Sequence, residues 1–129
     1  MQSTKALATF ILALLAACSR DARIDEPSCE ALDLKAVKLA GQQKLMEAAE
    51  IYDKAIKQCP PDPSRNTSRG VIAAALGDKV KAEQLINEAI EIAERQGNIC
   101  RADMSRGELA VVRGGAKLTV PPKSCKSAT

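Results

Sequence analysis

Two stretches of the sequence share one spacing of small and apolar residues, and this spacing decides the fold. The first, Lys44 to Pro60, reads KLMEAAEIYDKAIKQCP, and the second, Lys79 to Gly97, reads KVKAEQLINEAIEIAERQG. One constant shift places the first set on the second, in the pairs Ala48 and Ala82, Ile51 and Leu85, Tyr52 and Ile86, and Ala55 and Ala89. Apolar residues that recur at intervals of three and four predict helices, so the chain contains a repeated helical unit.

Start and stop signals divide residues 28–115 into five predicted helices. The predicted breaks are Gly41, the run CPPDP at residues 59–63, Gly77, Gly97 and the pair Gly114 and Gly115. Gly41 ends the first helix, and we expect it to be left-handed. Asp62 and Asp78 are predicted N-caps, and the fifth helix runs from Ile99 to Val112. The tail at residues 116–129 is predicted to be extended.

The repeated unit resembles the tetratricopeptide repeat, a helix-turn-helix with a period of about 34 residues, which is the shift that relates the two stretches. The residues that match the family pattern are Ala36 and Gly70 in the first helices, and Ala48, Ala82, Tyr52, Ile86, Ala55 and Ala89 in the second helices. The resemblance covers residues 29–96, and residues 99–112 resemble the helix that closes such arrays. It implies an all-α fold of two repeats and a closing helix, stapled by disulfides.

Some positions depart from the family pattern. The closing proline is matched by Pro60, whereas Glu94 stands at that position in the second repeat. The large residue near the start is Leu32 in one repeat and Asn66 in the other, and the following leucine position holds Lys35 and then Arg69. The second helices are therefore the better evidence, and an unrelated alanine-rich helical bundle is the alternative.

The first residues have the pattern of a secretory signal. Lys5 precedes an apolar run from Ala6 to Ala17, which is too short to span a bilayer because a span needs about 20 residues. The sequence from Leu15 to Cys18 resembles a bacterial lipobox, in which the cysteine is acylated with fatty acids such as palmitate. Ser19 follows, and by the same resemblance it favours the outer membrane. The alternative is an ordinary signal peptide that is cleaved near Ser19.

These signals predict four segments. A lipoprotein signal peptide occupies residues 1–17, a lipidated N-terminus and tether residues 18–27, a helical domain residues 28–115, and the tail residues 116–129. The predicted location is the outer membrane, with the lipid-anchored domain facing the periplasm.

The five cysteines predict two disulfides. If Cys18 is acylated, four cysteines remain in an oxidising compartment, and no C-x-x-C pair or histidine is present to favour a metal site. Cys29 begins the first predicted helix and Cys59 ends the second, so an antiparallel hairpin makes them neighbours. The tail is long enough to bring Cys125 back to Cys100. Of three possible pairings we therefore predict Cys29–Cys59 and Cys100–Cys125.

The composition argues against an enzyme. The chain has no histidine, which removes an imidazole base and histidine-liganded metals. Pairs of carboxylates, such as Glu47 with Glu50, have lysines nearby and are typical of solvated helix faces. The net charge of +3 is too small to indicate nucleic acid as a partner. We predict no catalytic residue, metal or cofactor.

The resemblance places a binding groove on the concave face that first helices line. The predicted groove residues are Val37, Thr67, Val71, Ala74, Ala75 and Arg101, with Glu30, Asp33, Ala40, Ser105 and Glu108 beside them. The alternative is that these alanines pack against another helix of the chain. The expected function is a scaffold that binds another envelope protein or peptide segment, as an adapter in an envelope or secretion complex. An immunity or inhibitor lipoprotein against a toxin, and a subunit of a homo-oligomer, are the other hypotheses.

Overall fold

The computed structural model describes residues 27–126, which form five α-helices and one short 3-10 turn. The helices are α1 (Cys29–Gly41), α2 (Leu45–Gln58), α3 (Pro63–Ala75), α4 (Lys79–Arg95) and α5 (Ile99–Val112), and the turn spans Lys123–Cys125. The all-α prediction is confirmed for this part of the chain, which contains no strand. The predicted signal peptide, the lipidation site Cys18 and the tether up to residue 26 lie outside the described residues.

Polar side chains cap four of the five helix N-termini, and only α2 has no side-chain cap. Asp62 accepts a hydrogen bond from the backbone N–H of Ser64 at 2.8 Å, and Asp78 accepts one from Lys81 at 3.1 Å. Both predicted caps are confirmed. Asn98 caps α5 in the same way and accepts from the backbone of Arg101 at 3.0 Å. Each cap satisfies a backbone donor that has no partner within its helix.

The expectation that Gly41 is left-handed is wrong. Gly41 is the last residue of α1, because Gln42 still donates its N–H to Lys38 O at 3.1 Å. The left-handed residue is Gln43, with φ 62°, and the shift that relates the two repeats places it on the left-handed Gly77. The reversal thus occurs at the same place in both copies of the sequence pattern, although glycine fills it only once.

Helices that follow one another pack as antiparallel neighbours. α1 packs against α2, α3 packs against α4, and α5 packs against α4 and also contacts α3. The core is rich in alanine, and its two main clusters are Ala36, Ala48, Ala49, Tyr52 and Ile72, and Ile86, Ile90, Ala93, Ala102 and Leu109. Within residues 27–126, no helix is both long and apolar enough to span a bilayer.

Both predicted disulfides are confirmed. Cys29 is bonded to Cys59, with their Cα atoms 5.9 Å apart, and Cys100 is bonded to Cys125 at 4.6 Å. The first bond joins the start of α1 to the end of α2. The second bond holds the C-terminal tail against α5. The tail is not extended throughout, as we expected: it forms a 3-10 turn at Lys123–Cys125, where the chain bends to reach α5.

Candidate binding groove

A concave cavity of about 480 Å³ lies on the face formed by α1, α3 and α5. Its lining residues are Val37, Ala40, Tyr52, Ser64, Thr67, Ser68, Val71, Ile72, Arg101, Met104, Ser105 and Glu108. We call this cavity the groove. Only Tyr52 comes from α2, and α4 contributes nothing, so the first helix of each pair and α5 form the groove.

Hydroxyl groups join α3 to α5 at the base of the groove. Thr67 donates its hydroxyl hydrogen to the carbonyl oxygen of Pro63 at 2.8 Å. The 2.9 Å contact between the Thr67 and Ser105 hydroxyls must therefore be donated by Ser105, because the Thr67 hydrogen is already used. Ser105 is fully buried, and this bond satisfies its donor. The two helices are thereby fixed against each other under the groove.

Three apolar side chains are exposed along the groove, one from each helix. Val37 of α1 is 58% exposed, Val71 of α3 is 40% exposed, and Met104 of α5 is 41% exposed. Scattered exposed apolar residues are ordinary on protein surfaces, but these three line one concave site. An incoming apolar surface could remove all three from water together, which contributes about 25 cal/mol for each Å² that is buried.

Two opposite charges lie on the α5 side of the groove. Arg101 and Glu108 are seven residues apart on α5, which corresponds to roughly 10 Å along the helix axis. Neither side chain is in an ion pair or a side-chain hydrogen bond within residues 27–126. Both charges are therefore available to a bound partner.

A third charge that we expected in the groove is already neutralised. The Asp33 carboxylate accepts two hydrogen bonds from the buried Arg65, from Nε to Oδ1 and from Nη2 to Oδ2, both at 2.8 Å. Arg65 also donates to the carbonyl oxygen of Pro60 at 3.0 Å. The hydrogen bond to Asp33 raises the pKa of Arg65, although burial opposes it. This bidentate pair ties α1 to α3 and sets the spacing of two groove walls.

Tyr52 belongs to both the core and the groove. Its side chain is 4% exposed, and burial raises its pKa above the usual 10.0, while the neighbouring Ser68 hydroxyl opposes the shift. The tetratricopeptide pattern assigns Tyr52 only a packing position in α2. The place of Tyr52 in the groove could not be predicted from the sequence of α2 alone, because its side chain reaches the groove between α1 and α3.

The structure brings most of the predicted groove residues together. Val37, Thr67, Val71 and Arg101 line the groove, and so do Ala40, Ser105 and Glu108 from the wider predicted set. Ala74 is half-buried and Ala75 is exposed at the end of α3, and neither is a lining residue; Glu30 and Asp33 also lie outside the lining.

Five lining residues were missed in the sequence: Tyr52, Ser64, Ser68, Ile72 and Met104. Helical periodicity could have found some of them, because the lining residues of α3 and those of α5 each form one row along their helix. One row is Ser64, Thr67, Ser68 and Val71, and the other is Arg101, Met104, Ser105 and Glu108; each has intervals of three, one and three. Extending each predicted residue by one helical turn would have found Ser64, Ser68 and Met104.

No family model, curated protein or solved structure matches this chain. Among residues 27–126, no group of three or more Cys, Asp and Glu side chains could hold a metal ion. The groove itself offers apolar contacts, hydroxyl groups, one cation and one anion. Its chemistry suits recognition of a chain segment with apolar residues between two charges.

Proposed function

We propose that this protein is a non-enzymatic scaffold whose groove binds an amphipathic segment of another protein. The observation that carries the proposal is the exposure of Val37, Val71 and Met104 within one concave site, beside the charges of Arg101 and Glu108. A helix laid in an apolar groove is a common mode of peptide recognition. Such a segment would carry an acid opposite Arg101 and a base opposite Glu108, about two helical turns apart.

We further propose that α1–α2 and α3–α4 are two tetratricopeptide-like repeats, closed by α5. Matching positions support this interpretation. Ala48 and Ala82 are both fully buried, and so are Ala55 and Ala89. Val37 and Val71, which the same shift relates, both line the groove. In such an architecture the groove is the surface that takes the partner.

The proposed setting is the periplasmic face of the outer membrane. Two features support it: the lipobox-like sequence that ends at Cys18, and two disulfides, which persist in oxidising compartments. More than one acyl chain on Cys18 would give stable anchoring, since each buried methylene contributes about 0.8 kcal/mol. Metabolic labelling with a fatty-acid probe tests this step: label should enter the intact protein, and Cys18→Ser should abolish it.

Site-specific photocrosslinking in cells tests the groove. A photoreactive residue at Val71 reports on the groove, and one at Val80, which is 81% exposed on α4, is the matched control away from it. We expect one envelope protein to be crosslinked from position 71, and also from position 37, but not from position 80. The variants Val71→Glu and Met104→Glu should abolish this product when the photoreactive residue stands at Val37, whereas Val80→Glu should leave it intact.

The identity of the product separates the remaining hypotheses. A component of an envelope or secretion complex supports the adapter, and a toxin supports an immunity protein. A product containing only this chain supports a homo-oligomer. Equal capture from positions 71 and 80 would show that the groove is not the binding surface.

A further inference from the structure

The C-terminal tail doubles back along α5. Gly114, with φ 94°, begins the reversal, and the N–H of Gly115 donates to the carbonyl oxygen of Ala110 at 2.7 Å. The tail then returns to the first turn of α5, where Cys125 is bonded to Cys100. Residues 116–125 therefore lie antiparallel to α5, and we call them the strap.

One side chain packs the middle of the strap against α5. Leu118 lies over Gly107, so closely that a Cβ added to Gly107 would be 2.5 Å from Leu118 Cδ1 and 3.2 Å from Cγ. Any residue larger than glycine would push this leucine away. Glycine is less favourable than alanine inside a helix, and the contact with Leu118 gives it a structural role here.

The rest of the strap is held mainly at its ends. Within residues 116–121, no backbone group is hydrogen-bonded to another backbone group. At the far end, Ser124 donates to the Asp103 carboxylate at 2.7 Å, beside the disulfide. Between the ends, a cavity of about 300 Å³ separates the strap from α5, and Leu118 and Val120 remain 53% and 66% exposed. Such a loosely packed segment has little to hold it once one end is released.

The strap lies next to the groove. Met104 and Glu108 line the groove on one side and the cavity under the strap on the other. Beyond them, the strap covers Gly107 and Val111 of α5. Departure of the strap would therefore join the two cavities and lengthen the apolar face of α5 that a partner could contact.

We propose that the Cys100–Cys125 disulfide is a redox latch, whose reduction by a dithiol releases the strap and extends the groove along α5. A thiolate of the dithiol attacks one of the two sulfurs and forms a mixed disulfide. Its second thiol then closes the ring, so that the dithiol is oxidised to a disulfide. Two electrons and two protons pass to Cys100 and Cys125, which become thiols. This latch goes beyond the proposed function, and its test requires no partner.

The Cys29–Cys59 disulfide is better protected against the same reagent at one of its two sulfurs. Cys59 is only 9% exposed and packs in a cluster with Leu32 and Ala55, so one of the two sulfurs is shielded. Its partner Cys29 is half-buried, and so are both Cys100 and Cys125. The rate of thiol–disulfide exchange depends on access to the sulfur that is attacked. We therefore expect the latch to open while Cys29–Cys59 keeps α1 and α2 joined.

Timed reduction of the folded protein with dithiothreitol tests this order. Free thiols are trapped by alkylation and located by peptide mapping, and circular dichroism monitors the helices. Cys100 and Cys125 should become alkylated at least about twofold faster than Cys29 and Cys59, because one of the two sulfurs of Cys29–Cys59 is shielded, and helix content should be unchanged. Equal rates, or faster loss of Cys29–Cys59, would overturn the proposal.

Hydroxyl-radical footprinting then reports whether the strap leaves. After selective reduction, oxidation of the half-buried Val111 should rise several-fold, and that of Leu118, already 53% exposed, by up to about twofold. Oxidation of Ile51 in the first helical pair should stay constant. The variant with Cys100→Ala and Cys125→Ala should show the same pattern without reductant. Unchanged protection of Leu118 in the reduced protein would contradict the proposal, because the strap would then remain seated without its latch.

Substitution of Gly107 tests the contact between Leu118 and Gly107 while the disulfide stays intact. Gly107→Ala should expose Leu118 but not break the disulfide, and Gly41→Ala is its matched control, since a Cβ there meets nothing within 4 Å. Reduction should then add little further exposure in Gly107→Ala. If Leu118 stays as protected in Gly107→Ala as in the control, the contact that seats the strap is not the one proposed.

Discussion

The two helical pairs, α1–α2 and α3–α4, have the same residue spacing but are packed with different side chains. In α1–α2, Ala36 faces a cluster that contains the flat ring of Tyr52, and there is room for the alanine methyl group. In α3–α4, the matching position is Gly70, where an added Cβ would be 2.7 Å from Ile86 Cγ1 and 3.1 Å from the Ala82 carbonyl oxygen. The size of the small residue is thus set by the shape of the residue opposite it.

The pairs also differ in what holds them in place. Helices α3 and α4 have neighbours on both sides, because α2 contacts α3 and α5 contacts both. Helix α1 packs mainly on α2, with the Asp33–Arg65 pair as its tie to α3. A helix at the edge buries less apolar surface, and here a disulfide supplements its packing.

The largest loss of stability is expected for a substitution in the core of the second pair, α3–α4. Ile86 is fully buried, so Ile86→Ala should lower the free energy of unfolding by about 4 kcal/mol through lost burial and a cavity. Chemical denaturation measures the change. Val80→Ala, at an exposed position on the same helix, should change it by less than about 0.5 kcal/mol. Similar losses for both variants would show that the α3–α4 core is not packed as described.

The next effect concerns the covalent tie of the first pair. Replacing Cys29 and Cys59 together by alanine should cost about 3 kcal/mol, because the unfolded chain regains the freedom of a loop of about 30 residues. Hydrogen exchange should show the greatest loss of protection in α1 and little in α4. A uniform loss across all helices would mean that α1 is not the weakly packed edge.

A smaller loss of stability is expected for substitutions of the small residues Gly70 and Ala36. Gly70→Ala should cost about 2 kcal/mol through overpacking against Ile86, whereas Ala36→Gly should cost about 1 kcal/mol through backbone entropy and lost burial. Combining Gly70→Ala with Ile86→Ala should cost less than the sum by at least about 0.5 kcal/mol, because the shortened side chain makes room for the methyl group. Strict additivity in denaturation experiments would refute this contact.

The smallest effect is a dependence of stability on alkaline pH through Tyr52, which lies in the first pair. Burial raises the pKa of Tyr52 above 10.0, so the stability linked to its protonated form is complete below pH 10 and is lost as pH rises through the folded-state pKa. Ile86, its counterpart, does not titrate. Tyr52 is the only tyrosine, so ultraviolet absorbance of tyrosinate follows it alone.

Two variants control for this titration. Tyr52→Phe should remove its contribution to the alkaline loss of stability and leave the contribution of the lysines. Ser68→Ala should raise the pKa of Tyr52 further, since the Ser68 hydroxyl lowers it. An absorbance midpoint at or below pH 10 in the folded wild-type protein would contradict the burial of this side chain.

Much of the fold could be predicted because its signals are local. Caps at Asp62 and Asp78, proline breaks and helical periodicity act over a few residues. The Cys29–Cys59 pair follows from two helix ends that must meet, and the Cys100–Cys125 pair from a tail long enough to fold back. The left-handed turn was misplaced at Gly41 because a helix ends where its hydrogen bonds end, and Gln42 continues them. Seven of the twelve lining residues of the groove could be predicted for the same reason, since each helix presents a regular face.

The sequence by itself determined the five helices, their order, the two disulfides and the repeated spacing of small residues. Only the tertiary structure decided that Tyr52 reaches the groove, that Arg65 neutralises Asp33, and that Leu118 lies over Gly107. The physical reason is distance along the chain. Helix formation and capping depend on neighbours within about four residues. Which charges stay unpaired and which apolar side chains stay exposed depends instead on side chains from other helices.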